Sequence, residues 1–169
     1  MTDRAGPLLV TAQLARADQS WAERLRRAHY PPERNQVPAH VSLFRHLPPS
    51  LEEELRGLLR ALVACPRPAA RIEELRSLGT GVAIAIASPE LQAIRAAIAE
   101  RFDRHLIPQD RAAPRLHITI QNKVTPAVAA ATLAALSPME PRATHVAALV
   151  CWRYRDGPWE MVSRHAFRG

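Results

Sequence analysis

Two short segments, His40-Val41-Ser42-Leu43 and His117-Ile118-Thr119-Ile120, repeat one pattern 77 residues apart: histidine, aliphatic, hydroxyl, aliphatic. An imidazole with an ordinary pKa near ~6.5 gives or takes a proton close to neutrality. A hydroxyl donates a hydrogen bond to an anionic oxygen. Two of each suit chemistry on a phosphodiester. One histidine withdraws a proton from the attacking group and the other supplies one to the leaving oxygen. Ser42 and Thr119 then hold the non-bridging oxygens, and nothing around them marks the activating triad that a nucleophile needs.

Each segment reads as a β-strand, because apolar and polar residues alternate and β-branched residues are frequent. Residues i and i+2 of a strand share a face. His40 and Ser42 are therefore expected on one side, with Val41 and Leu43 in the core, and His117 and Thr119 repeat the arrangement. Arg45 and Lys123 follow the motifs closely and are candidate phosphate ligands. Lys123 is also the chain's single lysine. Trp152, Tyr154 and Trp159 are candidate base-stacking residues. Alternation puts Trp152 and Tyr154 on one face, so both are expected in the groove if either is. His29, His46, His105, His145 and His165 have no such neighbours and read as structural or exposed. His40 and His117 lack nearby carboxylates at the spacing of a metal site, so a zinc site would need tertiary convergence, and no metal or cofactor is expected. Gly79-Thr80-Gly81 precedes a strand and reads as a turn, not as a phosphate loop.

The 169 residues suffice for one domain, and 47 % are hydrophobic, enough for a core. The net charge of +7, carried almost wholly by arginine, permits a polyanionic partner such as RNA. No apolar run approaches the roughly 20 residues of a membrane span. Asp3 and Arg4 near the N-terminus do not fit a secretory signal. Cys65 and Cys151 are far apart and form no CxxC pair, which fits a cytoplasmic location.

The elements that must position the motifs follow in order. A strand is expected over residues 7–15, then a helix capped by Asp18 and running to about His29, with Trp21 and Leu25 on one face. Tyr30-Pro31-Pro32 ends it. The first motif strand spans residues 38–47. Ser50 and Glu53 form a capping-box pattern ahead of a helix whose stripe is Leu51, Leu55, Leu58, Leu59 and Leu62. Glu52-Glu53-Glu54 reads as its solvated first turn. Strands over 70–78 and 82–87 come next. Ser88-Pro89 starts a helix with Leu91, Ile94, Ile98 and Phe102 on its buried face. Pro108 and Pro114 bracket a loop, the second motif strand covers 115–122, and Thr125-Pro126 starts a helix to about Leu136. A hairpin closes the chain: 145–154, a turn at Asp156-Gly157-Pro158, then 159–167. Strand, helix, motif strand, helix, strand thus occurs twice, as in a loose internal duplication.

At the two motifs, with their flanks Pro38-Ala39-His40-Val41-Ser42-Leu43-Phe44 and Pro114-Arg115-Leu116-His117-Ile118-Thr119-Ile120, the chain resembles the two-histidine phosphoesterase superfamily. That group includes the 2′-5′ RNA ligase-like proteins and 2′,3′-cyclic phosphodiesterases. The segments Trp152-Arg153-Tyr154 and Gly157-Pro158-Trp159 are similar to the C-terminal hairpin of the ligase-like branch. The resemblance implies one α+β domain over 1–169 with two pseudo-symmetric lobes, approximate halves 1–78 and 79–169 by element order. Antiparallel sheets surround a central groove, with the helices outside. It implies metal-independent opening of 2′,3′-cyclic phosphates, at RNA ends or on nucleotides, to 2′-phosphates, with 2′-5′ ligation in some members. It implies His40 as the acid toward the leaving oxygen and His117 as the base on water. The partner is then an RNA end or nucleotide with a 2′,3′-cyclic phosphate, with no membrane and no obligate protein partner. The alternatives are a noncatalytic RNA-binding module and a phosphodiesterase for another small cyclic phosphoester.

Overall fold

The computed structural model describes residues 6–169. Asp3 and Arg4 lie outside the described residues. The fold is α+β. Its strands are β1 (Leu8–Leu14), β2 (Val41–Leu47), β3 (Ala69–Ser77), β4 (Val82–Ala87), β5 (His117–Gln121), β6 (Arg142–Tyr154) and β7 (Trp159–Ala166). Its helices are α1 (Arg16–His29), α2 (Glu52–Leu62), α3 (Pro89–Arg101), α4 (Pro108–Arg111) and α5 (Pro126–Leu136). The strands form one seven-stranded sheet in the order β1-β2-β5-β4-β3-β6-β7, with a further β1–β6 pairing. All the strand pairs are antiparallel. The sheets of the two expected lobes are thus continuous and close on themselves. Strand β6 makes the closure by its length. Arg142–His145 pairs with β3, and the segment beyond pairs with β1 on one edge and β7 on the other.

Alternation decides which side of the sheet is dry. Leu8, Val10, Ala12 and Leu14 of β1, Val41 and Leu43 of β2 and Val82, Ile84 and Ile86 of β4 join one buried core with Leu55, Leu59, Leu91 and Ile98 of the helices. On the opposite face Leu9, Val150 and Trp152 make a second, smaller cluster with Trp159 packed on it. The helices cover the first face, and the second face is concave and open.

The helix starts divide into two groups. Ser88 caps α3, its Oγ accepting from the Leu91 N–H at 3.1 Å, and Thr125 caps α5 by accepting from the Val128 N–H at 3.2 Å. Proline stands at the first helical position of both. The caps expected for α1 and α2 do not form. Helix α1 begins at Arg16, so Asp18 lies inside its first turn and binds Arg142 (2.8 Å) and the Thr144 hydroxyl (2.6 Å) instead. A 3₁₀ turn over Pro49–Leu51 runs into α2, and the Ser50 side chain makes no cap bond. The first turn of α2 is not simply solvated either, because Glu52 pairs with the buried Arg153 and Glu54 with Arg101. In each case a distant arginine competes successfully for a carboxylate that local spacing had assigned to the helix end.

The joint between β2 and β5 is the weakest in the sheet, with Val41 opposite Ile118 as its one registered pair. Beyond Val41 the strands part, and other groups satisfy the β2 backbone. The stretch between Pro108 and Pro114, expected as a loop, contains α4, whose Asp110 is buried. An Asp110 carboxylate oxygen accepts from the backbone N–H of Arg45 (2.9 Å) and of His46 (3.2 Å). Arg95, also buried, donates to the Leu43 carbonyl at 3.2 Å and to the Asp110 carbonyl, with its guanidinium over the Phe44 ring. Asp110→Ala is expected to cost about 2–3 kcal/mol, because it strands two backbone donors and leaves the Arg95 charge uncompensated. Urea unfolding measures this, and a loss below about 0.5 kcal/mol would refute the role assigned to Asp110.

Candidate functional site

The single β2–β5 pair fixes the geometry of both motifs. With Val41 opposite Ile118 in an antiparallel register, His40 stands across from Thr119 and Ser42 across from His117. A local twofold therefore runs through the Val41–Ile118 pair. His40, Ser42, His117 and Thr119 all line one cavity of about 590 Å³. Arg45 and Lys123 line it too, as do Asn122 and Trp159.

Each histidine is oriented in the same way. The His40 Nδ1 lies 2.7 Å from the Pro38 carbonyl oxygen, and the His117 Nδ1 lies 2.8 Å from that of Arg115. A carbonyl only accepts, so Nδ1 carries the hydrogen in both rings. That leaves Nε2 as the nitrogen that exchanges a proton with a substrate. The carbonyl is in each case two residues upstream, a device that the motif pattern by itself does not disclose.

His40 precedes β2 by one residue, and helix α1 holds it there. The Gln19 side chain donates to the Ala39 carbonyl at 2.7 Å, and the Glu23 carboxylate accepts from the Ala39 N–H at 2.7 Å. One turn on, Arg26 donates to the Thr119 carbonyl at 2.8 Å and to Asn35 at 2.8 Å, and lies over the Tyr30 ring. Gln19, Glu23 and Arg26 recur at helical spacing, so one polar stripe of α1 grips both motif strands. In the sequence these residues lie opposite Trp21 and Leu25, where a solvated polar face is expected, so helix periodicity gave no sign of their role.

Lys123 has φ +63°, in the left-handed region that non-glycine residues seldom occupy. The Asn122 side-chain oxygen accepts from the Lys123 N–H (2.8 Å) and from the Thr80 hydroxyl (2.9 Å), and Val124 N–H donates to the Thr80 carbonyl (3.1 Å). The tip of the β3–β4 hairpin thus pins the loop after β5. Gly81 permits this contact, since a Cβ there would meet the Gln121 carbonyl oxygen at 1.9 Å.

The aromatic candidates separate. Trp152 is 5 % exposed, its indole N–H donates to the Thr11 hydroxyl at 2.8 Å, and it does not line the cavity. Tyr154, 39 % exposed, lines an adjoining cavity of about 680 Å³ beside Arg45, His46 and Trp159. Trp159 lines both cavities and lies against His40, with ring centroids 4.7 Å apart. A register shift between Cys151 and Trp152 in the β6–β7 pairing shows that this hairpin departs from regular alternation. Cys65 and Cys151 are free thiols. Among the described residues no group of three or more His, Cys, Asp or Glu side chains is placed to hold a metal ion. None of their helices is long and apolar enough to cross a membrane.

Against protein-family profiles, residues 14–158 match the 2′-5′ RNA ligase superfamily. The chain belongs to that superfamily. Solved structures of similar fold include the E. coli LigT protein complexed with NADP+, at TM-score 0.64 and 16 % identity over 99 % of this chain and 100 % of LigT. LigT complexed with 3′-AMP gives 0.63 and 16 %, over 98 % of this chain and 99 % of LigT. The protein TT0787 of Thermus thermophilus gives 0.62 and 14 %, over 96 % of this chain and 98 % of that one. At such identities the likeness establishes a shared fold. A search of curated proteins gives no match.

Burial lowers the His40 pKa in this superfamily member from 6.5 to about 4. The Pro38 carbonyl opposes the shift, and electrostatic repulsion involving Arg26, His117 and Arg45 adds to it. At neutral pH the free protein therefore holds His40 neutral. Between 6.5 and about 4 the unfolded chain binds the proton that folded His40 refuses. The stability from keeping His40 neutral is complete above that window and is lost as pH falls through it, by at most about 3 kcal/mol. Urea denaturation at pH 7 and pH 4 should show His40→Gln losing less stability on acidification than wild type. Equal losses would refute the shift.

Proposed function

We propose that the protein opens 2′,3′-cyclic phosphates, at an RNA end or on a nucleotide, to 2′-phosphates by two-histidine acid/base catalysis. What carries this reading is the convergence of two similarly oriented imidazoles, two hydroxyls and two cations on one cavity. In this reaction a water oxygen bonds to phosphorus and the bond from phosphorus to O3′ breaks. His117 Nε2 takes the proton from water, and His40 Nε2 gives one to O3′. Ser42, Thr119, Lys123 and Arg45 bind the phosphoryl oxygens, where charge grows in the transition state. Trp159, beside His40, is the aromatic best placed to meet the base or ribose, with Tyr154 at the next cavity. The 3′-AMP and NADP+ in the LigT complexes are ligands of the class this cavity would accept.

The order His40 acid, His117 base sets a condition. His40 is neutral in the free protein, so it acquires its proton together with the anionic substrate. The substrate's negative charge offsets Arg26 and Arg45, whose positive charges help to lower the His40 pKa.

Incubation with 2′,3′-cyclic AMP in EDTA is expected to yield 2′-AMP rather than 3′-AMP. His40→Ala and His117→Ala should each lower kcat/KM by about 10²–10⁴-fold. No turnover by folded wild type on this nucleotide or on an oligoribonucleotide with the same end would favour the noncatalytic binding module. Inorganic phosphate is expected to raise the His40 midpoint in an NMR titration by about one unit or more. A midpoint that stays near 4 would reverse the two roles, making the neutral His40 the base.

A further inference from the structure

A second cavity, of about 420 Å³, shares Ser42, Arg45 and His117 with the first, and Tyr154 does not line it. Its other polar lining includes Arg76 and Arg115. Strand pairing brings Arg76 to this face. Arg76 is opposite Ala83 on β4, and Ala83 is opposite Thr119 on β5, so the three occupy one row of the sheet.

The charge balance of this cavity is one-sided. Some arginines elsewhere are matched, Arg101 with Glu54, Arg142 with Asp18 and Arg153 with Glu52. Among the described residues Arg45, Arg76 and Arg115 have no carboxylate partner. The acid in the cavity wall, Asp110, is 3 % exposed and turns a carboxylate oxygen to the β2 backbone. The second arginine in that wall, Arg95, is committed to the Leu43 and Asp110 carbonyls. Three guanidinium groups thus face a concavity next to the reacting centre without an internal counter-charge. Such a fork geometry fits a phosphate.

We propose that Arg76 and Arg115, with Arg45 shared between the cavities, form a second phosphate subsite that binds the 5′-phosphate of the nucleotide whose 2′,3′ end occupies the first. The inference rests on the reading of the first cavity as the reacting site. It makes the preferred ligand a nucleotide with a phosphate on each side of the ribose. An RNA chain and a free 5′-phosphorylated nucleotide both present that chemistry. Phosphate binding here does not depend on turnover.

The test is calorimetric titration with three ligands that are not ring-opening substrates: 2′-AMP, adenosine 2′,5′-bisphosphate, and the dinucleotide ApA bearing a terminal 2′-phosphate. Wild type should bind the two ligands that carry the second phosphate about tenfold more tightly than 2′-AMP. Arg76→Gln should reduce that gain and Arg76→Gln/Arg115→Gln should abolish it, while 2′-AMP binds all three proteins alike. The Arg115 substitution leaves its backbone carbonyl on His117 in place. A gain for both ligands supports the subsite and extends it to free nucleotides. A gain for the dinucleotide alone supports it and assigns it to a chain. Equal affinity of wild type for all three ligands, or equal loss for all three in the double variant, would overturn it. Absence of hydrolysis of 2′,3′-cyclic AMP would count against the catalytic reading and leave this binding result standing.

Discussion

The site depends on one incomplete strand pairing. Val41 and Ile118 join β2 to β5, and the sheet opens immediately beyond them. A full ladder would have drawn the strands together and left no room for a ligand between the motifs. Opening a ladder exposes backbone groups that each need a partner. On one side Asp110 and Arg95 supply them at Leu43, Arg45 and His46. On the other Gln19, Glu23 and Arg26 supply them at Ala39 and Thr119. The buried Arg26, Arg95 and Asp110 sit where the sheet departs from regularity, which ties part of the domain's stability to the shape of its groove.

The same polar scaffold sets the electrostatics. Arg26 supports the β5 backbone and also holds positive charge near His40. Burial beneath Trp159 and the nearby charges of Arg26 and Arg45 make the imidazolium form of His40 unfavourable until an anion arrives. The groove is therefore strongly prepared for negative charge. The carboxylates that could neutralise it are engaged with other arginines or with backbone amides.

Local pattern sufficed for much of the fold. The alternation in Val41-Ser42-Leu43 and Ile118-Thr119-Ile120 correctly puts aliphatics in the core and hydroxyls in the groove. Ser88-Pro89 and Thr125-Pro126 mark helix starts because the cap and the fixed proline φ act within one turn. Asp18 and Ser50 obeyed the same local rules and did not cap, since Arg142 and Thr144 compete for the first and a 3₁₀ turn intervenes at the second. At the final hairpin Trp152 does lie on the open face, but it is buried under Trp159 and bonded to Thr11, so Trp159 and not Trp152 reaches the cavity.

The sequence by itself determined the motif residues, the strand faces they occupy, and the superfamily to which the chain belongs. Those features reside in short-range spacing, where side-chain direction follows from backbone period. Only the tertiary structure decided that the motifs meet across Val41–Ile118, that both histidines present Nε2, and that Arg26, Arg95 and Asp110 sustain the opening. These are contacts between residues distant in the chain. Their energies come from satisfying buried polar groups in a shared, poorly hydrated space, which no window of neighbouring residues contains.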